Sequence, residues 1–104
     1  MIAALLRQGL ADDEIHALII PRRTLTHRRH RREPLSREES ERAVRVARLT
    51  ALAETVFGDR DRAFRWLRAP KRREGKPPLA LLVTEAGARL VEEMLYRIDD
   101  GIFA

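Results

Sequence analysis

Apolar residues recur at spacings of three and four along most of the chain, the pattern of helices that bury one face. Glycines and prolines interrupt this pattern, most clearly at Pro21, Pro34, Gly58 and Pro70. Residues 80–83 could pass for a strand, but no second segment is available to pair with them. The pattern therefore predicts an all-α fold of roughly six short helices.

The first third of the chain predicts three short helical segments. The first, residues 2–8, is apolar and ends at a glycine. Asp12 or Asp13 is expected to cap the second segment. The third starts at Pro21 and runs toward the next proline, with Leu25 as its single inward-facing apolar residue. Two short helices with a tight junction, the second of them basic, are typical of a helix-turn-helix.

Longer helices are expected in the rest of the chain. Ser36 and Glu39 form a capping box, in which each side chain accepts a hydrogen bond from the backbone N–H of the other residue, and this box opens a long helix. Asp59 and Thr84 are expected to cap two further helices, separated by a basic loop over residues 71–78. The apolar stripe predicted for the long helix consists of Ala43, Val44, Ala47, Ala51 and Leu52, widened by Leu49, Ala53, Val56 and Phe57.

The composition of the 104-residue chain is that of a folded protein, because 44% of its residues are hydrophobic and 36% are charged. The chain contains no cysteine, which excludes a disulfide framework, a thiol nucleophile and a thiolate metal site. Its longest apolar runs are too short for a membrane span, and its first residues lack the features of a signal peptide. These observations predict a cytoplasmic protein with no membrane partner.

Positive charge is concentrated in one segment. Between Arg22 and Arg32 the sequence has six arginines, two histidines and no acidic residue, within a chain of formal net charge +5. A helix with such side chains can enter the major groove and contact phosphates and base edges, and its binding weakens steeply with salt. The alternative is a solvated basic helix with no nucleic acid partner. The DNA-binding candidates are Arg22, Arg23, Thr26, His27, Arg28, Arg29 and His30.

No set of residues predicts catalysis. His27 and His30 have a spacing that can hold a metal ion on a helix, but the neighbouring arginines would oppose binding of a dication. The paired acidic residues are adjacent in sequence and point about 100° apart on a helix, so they are not placed to share a proton. The glycines are isolated, so there is no phosphate-binding loop. We therefore expect a binding protein with no catalytic residue, no metal and no cofactor.

Several motifs resemble one protein family, and they occur in its order. The sequence FGDRDRAFRWLRAP at residues 57–70 is similar to the pattern FGd-ekA--WL--P of the Xre/MbcA/ParS antitoxins. The segments PLALL at residues 78–82, TEAGA at 84–88 and LYRIDDGIF at 95–103 are similar to the motifs that follow in that family. Segments between residues 9 and 49 resemble the degenerate Xre-type helix-turn-helix and the helix that links it to the toxin-binding domain.

The resemblance implies an antitoxin with two parts: an Xre-like helix-turn-helix region with its linking helix at residues 1–54, and a helical toxin-binding domain at residues 55–104. It implies a RES-domain toxin as the partner, an enzyme that consumes NAD or transfers ADP-ribose from it. It also implies binding to operator DNA and autoregulation of the operon. The antitoxin itself would need no cofactor and would act by occupying the active-site cleft of the toxin.

The carboxyl-terminal segment is the candidate plug for that cleft. An acidic and apolar segment is complementary to a cleft that binds an anionic dinucleotide through cationic groups. In the alternative, Ile102 and Phe103 fold back onto the last helix as the apolar contact of a glycine cap. The residues assigned to toxin binding are Arg97, Asp99, Asp100, Gly101, Ile102, Phe103 and Ala104.

The apolar surface of the long helix is wider than one short neighbour could cover, which predicts self-association as a homodimer within the toxin complex. Three hypotheses of function remain: an antitoxin, a stand-alone helix-turn-helix transcriptional regulator, and an unrecognised enzyme. The first two differ in a simple test. Deletion of residues 101–104 would release the toxin only if the chain is an antitoxin, whereas the substitution Arg23→Ala would weaken operator binding by a regulator.

Overall fold

The computed structural model describes residues 1–101, which form seven helices and no strand. The prediction of an all-α fold is confirmed. One helix was missed: α6 takes up part of the segment that could have passed for a strand, and it opens at the Pro77-Pro78 pair. Proline suits the first turn of a helix because the amide hydrogen that it lacks would have no partner there. The helices are α1 (Ile2–Gln8), α2 (Asp12–Leu18), α3 (Arg22–His30), α4 (Arg37–Phe57), α5 (Arg60–Arg68), α6 (Pro78–Leu81) and α7 (Glu85–Asp99).

The ends of the longer helices follow the local sequence. Ser36 Oγ accepts a hydrogen bond from the N–H of Glu39 at 3.1 Å, and the Glu39 carboxylate accepts one from the N–H of Ser36 at 2.7 Å. The predicted capping box of α4 is therefore present. Asp59 caps α5 and Thr84 caps α7, each by accepting from the N–H three residues further on. Gly58 ends α4 in the left-handed conformation, with φ 70°.

The predicted cap of α2 was wrong. The helix is preceded by Ala11, which has no side-chain acceptor, so neither Asp12 nor Asp13 is the cap. The Glu14 carboxylate turns back instead and accepts a hydrogen bond from the N–H of Ala11 at 2.8 Å. The two aspartates lie in the first turn, where their negative charge interacts favourably with the helix dipole. Either arrangement satisfies a free amide, and the sequence alone did not select between them.

The central element is α4, which packs against α5, α7 and α2. Three of its four buried apolar residues belong to the predicted stripe. The stripe missed Val46, which is fully buried, and included Val44, which is 52% exposed, and Ala51, which is also exposed. Alanines and valines at several overlapping spacings allow more than one apolar stripe on this helix, and the neighbouring helices select one of them. The buried apolar residues of α4 are Ala43, Val46, Leu49 and Ala53.

Contacts over a long sequence separation join α1 and α2 to α5. The Arg68 guanidinium donates two hydrogen bonds of 2.8 Å to the Glu14 carboxylate and one of 2.9 Å to the carbonyl oxygen of Gly9. Gly9 lies against the ring of Phe64, so α1 and α2 are held on α5. The predicted boundary at residue 54 falls inside α4, a continuous helix. Along residues 1–101 none of the helices has the length and apolar character needed to cross a membrane.

Candidate functional site

The junction between α2 and α3 contains no glycine and is held by side chains. Arg42 Nε donates a hydrogen bond to the carbonyl oxygen of Ile19 at 2.9 Å. His16 Nδ1 lies 3.0 Å from the carbonyl oxygen of Ile20, and because the carbonyl can only accept, this nitrogen carries the hydrogen. Both isoleucines are buried. Pro21 then leads into α3 in an extended conformation, so the two helices meet in a defined bihelical unit.

The basic helix α3 exposes nearly all of its surface. Leu25 is its only buried residue, as predicted. The outward face lines an open groove of about 610 Å³ and brings together five of the seven predicted DNA-binding residues. Arg29 is also exposed, beside this groove rather than in its lining. The five residues of the groove, which we call the α3 face, are Arg22, Arg23, Thr26, His27 and His30.

Arg28 has a different place from the rest of the set. Its guanidinium pairs with the carboxylate of Glu39, and the two side chains are only 23% and 8% exposed. Arg28 therefore attaches α3 to the start of α4 instead of projecting from the α3 face. Sequence reasoning assigned Glu39 to the capping box alone and missed this second role, for which the only signal is an acidic residue placed near a basic helix.

Electrostatics at Glu39 favour the charged carboxylate. Burial by itself would raise the pKa of Glu39, but the hydrogen bonds from the Ser36 backbone N–H and from Arg28 outweigh it and lower the pKa. Glu14 is similar: burial opposes ionisation, whereas hydrogen bonds from Arg68 and from the Ala11 N–H lower the pKa of Glu14. Both carboxylates that hold the first three helices to the remainder of the protein are thus stabilised in the ionised state.

The last turn of α7 is exposed. The backbone N–H of Gly101 donates a hydrogen bond to the carbonyl oxygen of Ile98 at 3.1 Å, and Gly101 has φ 79°, so it adopts the conformation predicted for a residue that ends this helix. The other three residues of the predicted plug, Ile102, Phe103 and Ala104, lie outside the described residues. The exposed residues of the predicted segment are Arg97, Asp99, Asp100 and Gly101.

The surface of α4 that was expected to mediate self-association is more polar than predicted. Val44 lies in an open groove of about 460 Å³ whose other lining residues are polar or charged. Self-association therefore stays a prediction. The groove is lined by Arg37, Ser40, Glu41, Val44, Arg45, Arg48 and Glu85.

A metal site made of protein side chains needs several histidine, cysteine, aspartate or glutamate residues close together. In the part of the chain that the structure covers, residues 1–101, no three of these side chains are grouped in a way that could bind a metal. His27 and His30 are both exposed on the arginine-rich α3.

A helix-turn-helix unit with a basic second helix, joined by a long helix to a small helical domain, places the chain among two-domain helix-turn-helix proteins. Residues 1–48 match a family model described as the antitoxin Xre-like helix-turn-helix domain. Residues 52–101 match the antitoxin Xre/MbcA/ParS C-terminal toxin-binding domain. The two matches follow each other along the chain, which belongs to the Xre/MbcA/ParS antitoxin family.

Three curated relatives carry the name Antitoxin Xre. The relative from Pseudomonas putida is 49% identical over 84 residues, which are 80% of this chain and 53% of the relative. The relative from Yersinia enterocolitica is 37% identical over 92 residues, 86% of this chain and 62% of the relative. The relative from Photorhabdus laumondii is 39% identical over 67 residues, 62% of this chain and 45% of the relative. The chain spans about half the length of these relatives.

Proposed function

We propose that this protein neutralises a RES-domain toxin, an enzyme that consumes NAD or transfers ADP-ribose from it, by covering the active site of the toxin with the end of α7 and residues 102–104. The observation that carries the proposal is the match of residues 52–101 to a toxin-binding domain whose last helix ends in exposed, mostly charged residues. The protein itself performs no chemistry in this proposal and needs no cofactor.

The way in which α7 is held supports this role. Ala88, Val91 and Leu95 bury one face of the helix. The carboxylates of Glu85 at its start and Glu92 at its middle pair with arginines of α4. A helix that is already fixed along its length presents its exposed end in one orientation, so less conformational entropy is lost when a partner binds.

The charge at the end of α7 also supports the proposal. Asp99 and Asp100 give the segment assigned to the plug two exposed carboxylates. A pocket that binds an anionic dinucleotide presents cationic groups, so a negatively charged segment is electrostatically complementary to its entrance. Removal of these charges should therefore weaken the complex even where the helix itself is unchanged.

The test measures NAD consumption by the toxin. We expect the adjacent reading frame to encode a RES-type protein, and we expect the full chain to abolish its activity. Deletion of residues 102–104, or reversal of charge by Asp99→Lys with Asp100→Lys, should raise the concentration needed for inhibition at least about tenfold, or 1.4 kcal/mol. Glu38→Lys, at an exposed position on α4, is the matched control and should inhibit normally. Full inhibition by the truncated and charge-reversed chains would overturn the proposal.

We also infer that the protein binds operator DNA through the α3 face. Support comes from the exposure of five residues of a basic helix on one open face and from the match of residues 1–48 to a helix-turn-helix domain. Arginine suits this role because its guanidinium can make two parallel hydrogen bonds to guanine or phosphate.

DNA binding is tested by titration of the DNA upstream of the operon at several salt concentrations. Arg23→Ala should weaken binding and reduce the slope of log affinity against log salt by about one phosphate contact. Arg62→Ala, at an exposed arginine of α5, is the control and should leave the slope unchanged. Equal affinities for the Arg23→Ala and unsubstituted chains would contradict the role of the α3 face. Intact DNA binding without any effect on the toxin would favour a stand-alone transcriptional regulator.

A further inference from the structure

A cleft of about 560 Å³ lies between the loop that follows α5 and the last turns of α7. Trp66, Met94 and Ile98 provide its apolar lining, and each of these side chains is only half-buried. These residues come from two helices that are far apart in sequence, so the cleft exists only in the folded chain. Apolar surface that stays partly exposed in a small domain is available to a partner.

The edge of the cleft is strongly basic. Its four cationic side chains stand against one acidic residue, Glu74. An excess of like charge around one cleft is electrostatically complementary to an anionic partner. The cations are Lys71, Arg72, Arg73 and Arg97, the last of which also belongs to the segment assigned to toxin binding.

The loop that carries three of these cations is closed by its own hydrogen bonds. The N–H of Lys71 donates to the carbonyl oxygen of Lys76 at 3.1 Å, and the N–H of Gly75 donates to the carbonyl oxygen of Lys71 at 2.8 Å. Gly75 has φ 72°, which a residue with a side chain rarely adopts. The loop is therefore ordered before a partner arrives, which reduces the entropy lost on binding.

Lys71 is half-buried at the edge of the cleft. Lys71 Nζ lies 4.9 Å from the centroid of the Trp66 ring. Burial lowers the pKa of Lys71, and the charge of Glu74 offsets this only in part. An anion bound in the cleft would add a favourable interaction for the ammonium group.

We propose that this cleft is a second docking site for the toxin and that it takes a toxin segment in which an acidic residue stands next to a large apolar one. The apolar side chain would cover Trp66 and Met94, and the carboxylate would pair with the arginines at the edge. This inference rests on the proposed antitoxin function, because the toxin is the partner. It adds that the contact with the toxin extends from the plug into the adjoining cleft, with which the plug segment shares Arg97.

A protein segment fits this cleft better than a nucleic acid does. The Trp66 ring already contacts the Lys71 ammonium group and packs against the Phe57 ring at a centroid distance of 5.6 Å, so it is poorly placed to stack on a base. The methionine and isoleucine side chains of the lining offer no hydrogen bonds to base edges. They are instead suited to burial of an apolar side chain of the partner.

The experiment compares two pairs of charge reversals in the full chain. Arg72→Glu with Arg73→Glu changes the edge of the cleft, and Arg62→Glu with Arg65→Glu makes the same charge change on α5 outside it. Binding to the toxin is measured by calorimetry, inhibition by NAD consumption, and folding by the Tm. We expect the cleft variant to bind about tenfold more weakly with an unchanged Tm, and still to inhibit completely at saturating concentration because the plug is intact.

A second measurement reports on the cleft itself. The pKa of Lys71, followed by NMR titration of its side chain, should rise when the toxin binds and should not rise when duplex DNA is added. This readout needs no substitution, so it is independent of any effect of a variant on folding.

The outcomes separate this proposal from the proposed function. Equal affinity for the toxin in the cleft variant and the unsubstituted chain would overturn the second docking site and leave the plug untouched. Equal loss in both charge-reversed variants would indicate a general electrostatic effect and would also overturn it. Loss of DNA binding in place of toxin binding would assign the cleft to nucleic acid. If the unsubstituted chain itself fails to bind the toxin, both proposals fail together.

Discussion

At the scale of single residues, a glycine allows α7 to start close to α6. A Cβ atom at Gly87 would lie 1.9 Å from the carbonyl oxygen of Leu81 and 3.1 Å from Oγ1 of Thr84, the residue that caps α7. The first of these atoms belongs to the backbone, so it cannot move aside without displacing α6. The close approach of the two helices therefore depends on the absence of a side chain at this position.

We predict that Gly87→Ala lowers the free energy of unfolding by about 2 kcal/mol, because the backbone of α6 must shift to accept the methyl group. Urea unfolding followed by circular dichroism measures this. Gly58→Ala is the matched control: it has φ 70° but nothing within 4 Å of the added Cβ, so only conformational strain of about 1 kcal/mol is expected. A loss at Gly87→Ala no larger than that of the control would show that the two helices are not in contact as described.

At the scale of one element, the end of α3 has an unusual residue. Arg32 has φ 56°, and it is the only residue other than glycine with a positive φ within residues 1–101. The N–H of Glu33 donates a hydrogen bond to the carbonyl oxygen of Arg28 at 2.8 Å. The N–H of Arg32 donates one to the carbonyl oxygen of Arg29 at 3.1 Å. These two hydrogen bonds form a Schellman motif, in which the left-handed position is usually glycine.

We predict that Arg32→Gly raises the free energy of unfolding by about 0.5–1 kcal/mol, because glycine adopts the left-handed conformation without steric strain. Arg31→Gly removes the same charge from the neighbouring position, whose φ is −90°, and should be neutral or destabilising. Thermal unfolding of both variants provides the comparison. Similar stability changes in the two variants would mean that charge, and not backbone conformation, determines the effect.

At the scale of the whole molecule, two ionised carboxylates connect the amino-terminal helices to the rest. Glu39 holds α3 through Arg28, and Glu14 holds α2 through Arg68. The guanidinium of Arg68 also lies 4.7 Å from the centroid of the Phe64 ring, so the connection is made by packing as well as by charge.

We predict that stability falls as the pH is lowered through the carboxylate range. The pKa values of Glu14 and Glu39 lie below their ordinary value of 4.5, so the unfolded chain binds more protons than the folded chain as the pH approaches and passes that value. The contribution of the two carboxylates is therefore fully present above 4.5 and is lost as the pH falls through the folded pKa values. Together the two carboxylates are expected to contribute on the order of 1 kcal/mol to the free energy of unfolding. The share of the Glu14–Arg68 pair is reduced because Arg68 is partly exposed to solvent.

The measurement is urea unfolding between pH 3 and pH 7, which brackets carboxylate titration by roughly one unit or more on either side. Glu14→Gln with Glu39→Gln should be less stable at neutral pH and should depend less on pH. Glu38→Gln removes an exposed carboxylate next to Glu39 and serves as the control. An unchanged pH dependence in the double variant would contradict this account.

A second prediction at this scale concerns the contact between α5 and the amino-terminal helices. Arg68→Ala should destabilise the protein by about 1–2 kcal/mol, because it removes the paired hydrogen bonds to Glu14 and the one to the carbonyl oxygen of Gly9. In a double-mutant cycle with Glu14→Gln, the double variant should lose less stability than the sum of the losses in the two single variants. Additive losses would mean that the two side chains do not interact. Arg65→Ala, at an exposed arginine of α5, is the control.

The sequence predicted the capped helices well and the buried face of α4 only in part. The caps at Ser36, Asp59 and Thr84 were correct because each is a hydrogen bond between residues three positions apart. The predicted stripe contained three of the four apolar residues that α4 buries but missed Val46, because several helices pack on α4 and the sequence contains more apolar spacings than the fold uses. Five of the seven DNA-binding candidates came together on the α3 face because one helix carries them all and a single leucine fixes its orientation.

The sequence by itself therefore determined the helical class, most helix ends, the position of the basic helix and the family, because these depend on local hydrogen bonds, periodicity and ordered motifs. The tertiary structure decided that Arg28 pairs with a residue 11 positions away and Arg68 with one 54 positions away, and it created the cleft between α5 and α7. Such pairs form only when packing brings distant helices together. The sequence contains many arginines and does not indicate which of them pairs with which carboxylate, because that depends on how the helices pack.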